Sequence, residues 1–344
     1  MKPKTSASCW YWLPVFVLLA VGCSEQTTES TKSSMDEVTF NMGWLPQGSS
    51  SGVIVAMGLG FFEEVGIKVE AARGFGSIRT VNEVDQGMFD FANTDILAVV
   101  LNRSNGGRTR LIGAINGRWP AGLCFVTERH QISGPADLKG LKVGGGPLSP
   151  MQVMVPVWLE RNGLPADSVK LMQLDPAIVV GALLEETIDV SECWLGASIP
   201  IFQKRAAEAG LTIDWIEYAD FNFDIYGNGL VTSDRMIADN PDLVRRFVEA
   251  AFRGYDYVVE HTEEAAAIIV GLHPVLDKDI VLQQLQETIA SMNDHKNVSW
   301  LEEDKIAETL DILRSAYDID ASVGVGDIYT TAFLKQTPTV PAEE

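Results

Sequence analysis

The chain has few cysteines, few histidines and few basic residues for its length of 344 residues. Its four cysteines and four histidines show no spacing typical of a metal site, so neither a metal nor a cofactor is predicted. Its 26 Lys and Arg residues are outnumbered by 47 Asp and Glu residues, which gives a net charge of −21. Because nucleic-acid binding relies on basic patches that neutralise phosphates, this balance makes nucleic acid a poor partner.

The N-terminal apolar run is too short to cross a membrane. It occupies residues 10–22, about a dozen positions, whereas a spanning helix needs about 20. Lys2 and Lys4 form a basic head before this run. Residues 1–22 are therefore predicted to be an export signal that is removed from the mature protein.

Cys23 follows this run directly, and the triplet AVG at residues 20–22 precedes it in a pattern that resembles the bacterial lipobox. The resemblance implies a lipid on Cys23 and a location in the periplasm or cell envelope, although Ala20 stands where the family usually has leucine. A soluble secretory signal is the alternative. Residues 23–37 are polar and poor in apolar side chains, and they are predicted to be a flexible tether before the folded domain.

Two cysteines, Cys124 and Cys193, remain in the predicted mature domain. An oxidising compartment permits a disulfide, but a domain of this size does not require one for its stability. We therefore expect two free and mostly buried thiols rather than a bridge.

From residue 38 onward, short apolar segments alternate with amphipathic ones. VTFNMGW is typical of a strand, SGVIVAMGLGFFEEVG of a helix, and IKVEAARG of the next strand. Further on, LKVGGG leads into the helical segment MQVMVPVWLERNG, and Asn240-Pro241 begins a long amphipathic helix. This β-α-β-α order predicts a mostly parallel sheet structure covered by helices.

Four segments, taken in order, resemble one family: GLGFFEEVGIKVE, GMFDFANTD, ADLKGLKVG and NPDLVRRFVEAAFRGYDYVVEHTEEAA. They are similar to the solute-binding proteins of ABC importers for sulfonates, nitrate, taurine and thiamine-pyrimidine precursors, over about residues 38–331. The resemblance implies an α/β fold of the periplasmic-binding-protein-like type II, in which two α/β lobes are joined by two crossing segments. It places lobe one at residues 37–122 plus 228–335, lobe two at residues 123–227, and the crossings near residues 124–127 and 226–231.

The same resemblance implies a monomeric receptor without enzymatic activity, which captures a small solute between its lobes and delivers it to an ABC permease. The segment YADFNFDIYGNGLV, at residues 218–231, is similar to the branch of the family that binds pyrimidine precursors or flavin-like heterocycles. A planar heterocycle is therefore the predicted ligand, and a sulfonate, taurine or nitrate is the alternative. A sensor subunit that passes the ligand signal to a membrane kinase would have the same sequence features.

The segment Gly48-Ser49-Ser50-Ser51-Gly52 fits the G-x-S-x-G pattern of a hydrolase nucleophile elbow, between a predicted strand and a predicted helix. A secreted serine hydrolase using Ser50 is therefore the alternative from another class. The four histidines lie in a charged turn or in and beside predicted surface helices, and none has the surroundings of a catalytic base. An iron- and PLP-using pyrimidine synthase also shares the implied fold, but its cysteine-rich signature is absent here. No catalytic residue is predicted.

Polar and aromatic residues that follow predicted strands are the candidate ligand contacts, because ligands of open α/β sheets bind beyond the carboxyl ends of strands. Hydroxyl groups and free N–H groups at a helix start can hold the polar edge of a ligand, and aromatic rings can stack on its flat face. Trp194 is the strongest candidate, with Trp44 or Trp119 on the other face of the ligand and the serines at its edge. Helix capping is the alternative for the serines and for residues 94–95. The predicted set is Trp44, Gln47, Ser49, Ser50, Ser51, Thr94, Asp95, Trp119, Gly146, Ser149, Cys193, Trp194 and Tyr226.

Overall fold

The computed structural model describes residues 35–46, 48–146, 149–175, 177–292, 299 and 301–334. The predicted export signal, Cys23 and most of the predicted tether lie outside the described residues, as does Gln47. No helix in the described ranges combines the length and the apolar character that crossing a membrane requires.

Strands and helices alternate along the described chain, as the sequence pattern predicts. The strands are β1 (Asp36–Asn41), β2 (Ile67–Ala72), β3 (Phe91–Asp95), β4 (Thr109–Ala114), β5 (Ala121–Val126), β6 (Lys142–Gly145), β7 (Lys170–Gln173), β8 (Val190–Trp194), β9 (Ile213–Glu217) and β10 (Asn228–Ser233).

The helices follow most of the strands, and the last part of the described chain is mainly helical. They are α1 (Ser51–Gly58), α2 (Phe61–Glu64), α3 (Ser77–Asp85), α4 (Ile96–Ser104), α5 (Met151–Arg161), α6 (Val179–Leu184), α7 (Ile199–Glu208), α8 (Asp234–Asp239), α9 (Pro241–Glu260), α10 (Thr262–Leu272), α11 (Lys278–Ser291), α12 (Glu303–Ala316) and α13 (Val325–Ile328).

Helix α9 shows how local sequence sets such an element. Asn240 precedes it and Pro241 occupies its first turn. Proline lacks a backbone N–H, but an N–H in the first turn has no intrahelical acceptor, so no hydrogen bond is lost. Its apolar residues recur every three or four positions and are buried, among them Val244 and Phe247. The Phe247 ring stacks on Phe91 of β3 with 3.8 Å between centroids, which holds α9 against the first sheet.

The strands form two five-stranded sheets that share the same topology. The first sheet has the order β2-β1-β3-β10-β4 and the second has the order β7-β6-β8-β5-β9. In each sheet one strand is antiparallel to both of its neighbours, β10 in the first and β5 in the second, whereas the other pairs are parallel. We call the first sheet with its helices lobe one and the second sheet with its helices lobe two.

Each antiparallel strand belongs to the segment of chain that has just crossed from the other lobe. Residues 115–120 lead from β4 into β5, and residues 218–227 lead from β9 into β10. The predicted crossing near residues 124–127 is wrong, because Cys124 lies inside β5, and the crossing predicted near residues 226–231 runs into β10. The family resemblance that located this crossing therefore places it too far along the chain, because residues 121–126 form a strand of the second sheet.

A disulfide joins Cys124 of β5 to Cys193 of β8. The expectation of two free thiols is therefore wrong. The two cysteines are 69 positions apart in sequence, but β5 and β8 are neighbouring strands and the two Cα atoms lie 5.8 Å apart. Strand order in the sheet, which local sequence does not reveal, brings the two sulfur atoms together.

Candidate ligand-binding site

The two lobes touch through two turns, one before α1 and one between β8 and α7. The backbone N–H of Gly48 donates to the Gly196 carbonyl at 3.2 Å, and the Gly196 N–H donates to Oε2 of Glu287 in α11 at 2.7 Å. Gly48 immediately precedes Ser49, and Gly196 lies two residues after Trp194. The contact therefore brings the predicted serine cluster and the predicted tryptophan to one junction of the lobes.

The three serines have different surroundings. Ser49 Oγ accepts a hydrogen bond from Nδ2 of Asn93 at 2.9 Å, and Ser50 Oγ donates to the Met42 carbonyl at 2.9 Å. Ser50 Oγ also lies 3.2 Å from the same Asn93 nitrogen, and Ser50 is fully buried. Ser51 Oγ and Asn93 Oδ1 are buried and have no protein partner among the described residues. The carboxyl edge of the first sheet thus contains two buried polar atoms without a protein partner.

The G-x-S-x-G pattern has a packing explanation. A side chain at Gly52 would meet the Tyr255 ring of α9 at 2.2 Å, and one at Gly48 would meet Oγ1 of Thr288 in α11 at 1.9 Å. Both glycines are therefore required where helices approach the turn closely. The Ser50 hydroxyl is occupied by a backbone carbonyl and an amide, and no histidine of the described chain hydrogen-bonds to it. Ser50 thus lacks the partners that activate a nucleophile.

Asp95 caps helix α4. Its Oδ1 accepts a hydrogen bond from the N–H of Ala98 at 2.9 Å, which is the capping alternative named above. Burial raises the pKa of this carboxyl group, and hydrogen bonds from Ser77 and Ala98 oppose the rise. Thr94 Oγ1 donates to the Ser77 carbonyl at 3.3 Å. Ligand contact by Thr94 or Asp95 stays a prediction.

Lobe two contributes a cluster of aromatic rings at this junction. Trp119 stacks on Tyr218 with 5.4 Å between ring centroids and meets Trp194 edge-on at 5.5 Å. Trp158 of α5 meets Tyr218 edge-on at 5.0 Å. We call these four rings the aromatic cluster. Three of them are at most 2% exposed and Trp194 is half-buried, so Trp194 presents the accessible face. Because Trp119 packs directly against Trp194, these two rings cannot enclose a planar ligand between them.

Four hydrogen-bond donors of lobe two are buried without a protein partner in the described part of the chain. They are the indole N–H groups of Trp119 and Trp158, the Tyr218 hydroxyl and the amide Nε2 of Gln152 in α5. Leaving a buried donor unpaired costs about 1–3 kcal/mol, and native proteins contain few such groups. The four donors are therefore suited to the acceptor atoms of a bound molecule.

Glu192 places a carboxyl group against the same cluster. Its Oε1 accepts a hydrogen bond from the Trp194 indole N–H at 3.1 Å. Burial raises the pKa of Glu192 to about 7, while hydrogen bonds from Ser149 and Trp194 act in the opposite direction. Burial, together with the charge of Glu192, raises the pKa of Tyr218 well above its usual value of 10. Near neutral pH, Tyr218 is therefore a donor, and Glu192 exchanges between carboxylic acid and carboxylate.

The glycine loop after β6 fits against this carboxyl group. A Cβ atom at Gly145, the last residue of β6, would lie 2.6 Å from Oε2 of Glu192, so a larger residue there would displace this carboxyl group. Gly146 adjoins this position, and Ser149 from the same loop hydrogen-bonds to the Glu192 carboxyl. Two predicted residues, Ser149 and Trp194, therefore hydrogen-bond to a glutamate that was not predicted.

Two further carboxyl groups lie at the junction. Burial raises the pKa of Glu287 to about 7, the Gly196 N–H opposes this rise, and the charge of Glu217 adds to it. Burial also raises the pKa of Glu217, against the charge of Arg118 at 4.0 Å. Arg118 is paired more closely with Asp220, at 2.7 Å. The junction is therefore rich in carboxyl groups, and an anionic ligand would meet unfavourable charge there.

Three predicted site residues have other positions. Trp44 is 40% exposed and lies on the outer rim of lobe one, beside Arg73. The Tyr226 hydroxyl accepts a hydrogen bond from the Glu302 N–H at 3.0 Å, so this ring holds the start of α12. Cys193 is fully buried and bridged, which leaves no free thiol to face a ligand.

Glu192 could have been found from the sequence. It lies two residues before Trp194 at the carboxyl end of β8, so the strand-end rule that selects Trp194 also applies to it. The other unpredicted residues have the pattern of ordinary core side chains, and only their unpartnered donors distinguish them. The unpredicted residues of lobe two are Gln152, Trp158, Glu192 and Tyr218.

Residues 47–265, more than half of the chain, match the protein family described as "NMT1/THI5 like". The chain is similar to the riboflavin-binding protein RibY of Chloroflexus aurantiacus, with 23% identity over 93% of this chain and 95% of that protein. It is also similar to the formylaminopyrimidine-binding protein of Halalkalibacterium halodurans, with 20% identity over 74% of this chain and 76% of that protein. An enzyme, the 4-amino-5-hydroxymethyl-2-methylpyrimidine phosphate synthase of Candida albicans, is 22% identical over 83% of this chain and 86% of its own length.

Solved structures share the fold. The periplasmic aliphatic sulphonate binding protein SsuA of Escherichia coli superposes with a TM-score of 0.68 and 15% identity, over 88% of this chain and 100% of that chain. A Candida albicans protein described as exhibiting the generic periplasmic binding protein fold gives a TM-score of 0.63 with 17% identity, over 86% of this chain and 96% of that chain. The predicted fold class, two α/β lobes of the periplasmic-binding-protein type, is confirmed.

Proposed function

Because this chain belongs to the NMT1/THI5-like family, we propose that it is a solute-binding protein, which closes its two lobes around a small ligand and delivers that ligand to an ABC permease. The observation that carries the proposal is the set of buried polar atoms without a protein partner in the described part of the chain. They come from both lobes, including Ser51 and Asn93 of lobe one and the four donors of lobe two. A ligand that bonds to both sets stabilises the closed arrangement relative to an open one.

The ring system of the proposed ligand is an uncharged planar heterocycle with several acceptor atoms and at least one N–H group. Its carbonyl oxygens or ring nitrogens would accept from Trp119, Trp158 and Tyr218. Its N–H would donate to the Glu192 carboxyl, beside which Trp194 supplies an aromatic face. Riboflavin and a formylaminopyrimidine, which two relatives are named for binding, are heterocycles of this kind.

A sulfonate is the second candidate, because its oxygens would also satisfy the buried donors, and the SsuA protein is named for such a ligand. A sulfonate places a negative charge near Glu192 and Glu287, which is unfavourable once these groups lose their protons. The affinity for a sulfonate should therefore fall as the pH rises through about 7, where both groups ionise. Over the same pH range, the affinity for a heterocycle that donates an N–H should stay constant or rise, since the Glu192 carboxylate is a stronger acceptor than its protonated form.

Trp194→Ala is expected to weaken the binding of a planar heterocycle about ten- to a hundredfold, because burying a large apolar face contributes about 1.5–3 kcal/mol. Thermal-shift titrations with riboflavin, aminopyrimidines, aliphatic sulfonates and nitrate would identify the ligand class, and calorimetry would measure the loss. Trp215→Ala is the matched control, because Trp215 is also half-buried in the second sheet but packs outside the aromatic cluster. An equal loss in both variants, or a thermal shift with sulfonates or nitrate alone, would contradict the planar ligand.

We also propose that the protein is exported and held at a membrane by a lipid on Cys23, as the basic head and short apolar run at its start predict. Cys23→Ser is expected to release the protein into the soluble fraction or to leave the export signal uncleaved. Membrane fractionation, followed by mass spectrometry of the N-terminus, measures the outcome. A processed Cys23→Ser protein that stays with the membrane would exclude the lipid.

A further inference from the structure

An exposed patch of aromatic rings and arginines forms the rim of lobe one. Trp44 and Phe75 are 40% and 52% exposed. The Arg73 guanidinium lies over both rings, 5.9 Å from the Trp44 centroid and 4.5 Å from the Phe75 centroid. Arg79 lies over Phe75 at 4.7 Å, so this ring is contacted by two cations. We call these four residues the rim patch.

The rim patch is continuous with the proposed ligand site. Trp44 lies in the turn after β1 and Arg73 follows β2, so both are at the carboxyl edge of the first sheet. The N–H of Gly74 donates to the Trp44 carbonyl at 2.9 Å, which ties the two turns together. Gly43 approaches Asn93 so closely that a side chain there would lie 2.3 Å from the Asn93 carbonyl. Trp44 of the rim patch therefore directly follows Gly43, which packs against the backbone of Asn93, whose Oδ1 is unpartnered.

The rim patch is cationic in a chain whose net charge is −21. Among the described residues, Arg73 contacts the two rings and, through Nε, the Gly74 carbonyl, and it forms no ion pair with a carboxylate. Arg79 keeps one ion pair, with Glu83 at 2.7 Å. Carboxyl groups, by contrast, surround the junction with lobe two. Charge is thus segregated across the site, with guanidinium groups at the rim and carboxyl groups at the junction.

We propose that the rim patch binds an anionic group, a phosphate or a carboxylate, carried on a side arm of the heterocyclic ligand. This inference rests on the proposed function. The Arg73 guanidinium can donate to the oxygens of the anion while its face remains stacked on the rings. The carboxyl groups at the junction repel the same anion, so the ligand is held in one orientation, with its ring at the aromatic cluster and its arm at the rim.

Matched neutral and phosphorylated ligands test this proposal. The pairs are riboflavin with riboflavin 5′-phosphate, and 4-amino-5-hydroxymethyl-2-methylpyrimidine with its phosphate, each titrated calorimetrically into the full chain at low salt. In the pair that binds, the phosphate is expected to bind about fivefold tighter than the neutral compound, and added salt should reduce the difference. Arg73→Gln is expected to abolish this preference and to leave the affinity for the neutral compound within about twofold.

Arg108→Gln is the matched control. Arg108 is an exposed arginine that precedes β4 at the opposite edge of the same sheet, so its replacement removes the same charge and should keep the preference. If the neutral compound binds but its phosphate binds no tighter, or if Arg73→Gln weakens both equally, the anion inference fails and the proposed function stands. If neither member of either pair binds, the anion inference and the proposed heterocyclic ligand both fail. Cosedimentation with phosphatidylglycerol vesicles that is lost in Arg73→Gln would assign the patch to lipid headgroups and would overturn the inference.

Discussion

Replacing Glu192 by glutamine is expected to weaken the binding of an N–H-donating heterocycle about tenfold, and replacing it by alanine about a hundredfold. A hydrogen bond to a charged group contributes about 1.5–3 kcal/mol, and tenfold in affinity corresponds to about 1.4 kcal/mol. Glutamine keeps an oxygen for the ligand and for the Trp194 indole but removes the charge, whereas alanine removes the acceptor as well. Calorimetry at pH 8, where the wild-type carboxyl group is ionised, measures both losses.

The same glutamine variant is expected to stabilise the empty protein at pH 8, by about 2–3 kcal/mol in the free energy of unfolding. Burial raises the pKa of Glu192 in the folded state from 4.5 to about 7. Below about pH 4.5 the folded and unfolded states both hold the proton. As the pH rises from there to about 7, the unfolded state releases it first, so the stability of the wild type falls and then stays lower. Glutamine does not titrate, so the variant escapes this loss.

Urea unfolding between pH 4 and 8 would show the effect as a shallower pH dependence in Glu192→Gln. Part of the fall in stability with rising pH should remain in this variant, because the pKa of Glu287 is also raised to about 7. Glu185→Gln, which changes an exposed glutamate in the turn before β8, is the control and should leave both stability and affinity unchanged. A Glu192→Gln protein that binds the heterocycle as tightly as wild type would exclude Glu192 as its acceptor.

Loss of the disulfide between Cys124 and Cys193 is expected to lower the free energy of unfolding by about 4 kcal/mol. The bridge spans 69 positions, and closing a loop of that length removes conformational entropy from the unfolded chain that corresponds to about 4 kcal/mol at 25 °C. Because both cysteines are fully buried, Cys124→Ala with Cys193→Ala is the preferred double variant, since it introduces no unpaired hydroxyl. Equilibrium urea unfolding at pH 7 measures the difference.

Two comparisons separate the effect of losing the disulfide from the effect of changing the cysteine side chains. Each single alanine variant should lose about as much stability as the double variant, because either change opens the loop. Wild type unfolded in the presence of a thiol reductant should show the same loss, whereas the double variant should not respond to reductant. Thiol labelling located at Cys124 and Cys193 themselves, in wild type unfolded without reductant, would show that the bridge does not form.

The sequence by itself determined the secondary-structure elements, their order and the family. Asn240-Pro241 marks the start of α9, and alternation of apolar and amphipathic segments marks the two α/β lobes. The strand-end rule selects Ser51 and Trp194, which the structure brings to the junction between the lobes. Each of these signals depends on residues within a few positions of one another, so it can be read along the chain without knowledge of strand order.

Only the tertiary structure decided the chemistry of the site. Burial in the assembled fold raises the pKa of Glu192, against the hydrogen bonds from Ser149 and Trp194. Gly48 and Gly52 are glycines because α9 and α11 approach them, although in sequence they form the pattern of a nucleophile elbow. Cys124 and Cys193 are bridged because β5 is inserted beside β8. In each case the partners are distant in sequence, and the burial and proximity that set pKa, packing and bonding arise only when the sheets are assembled.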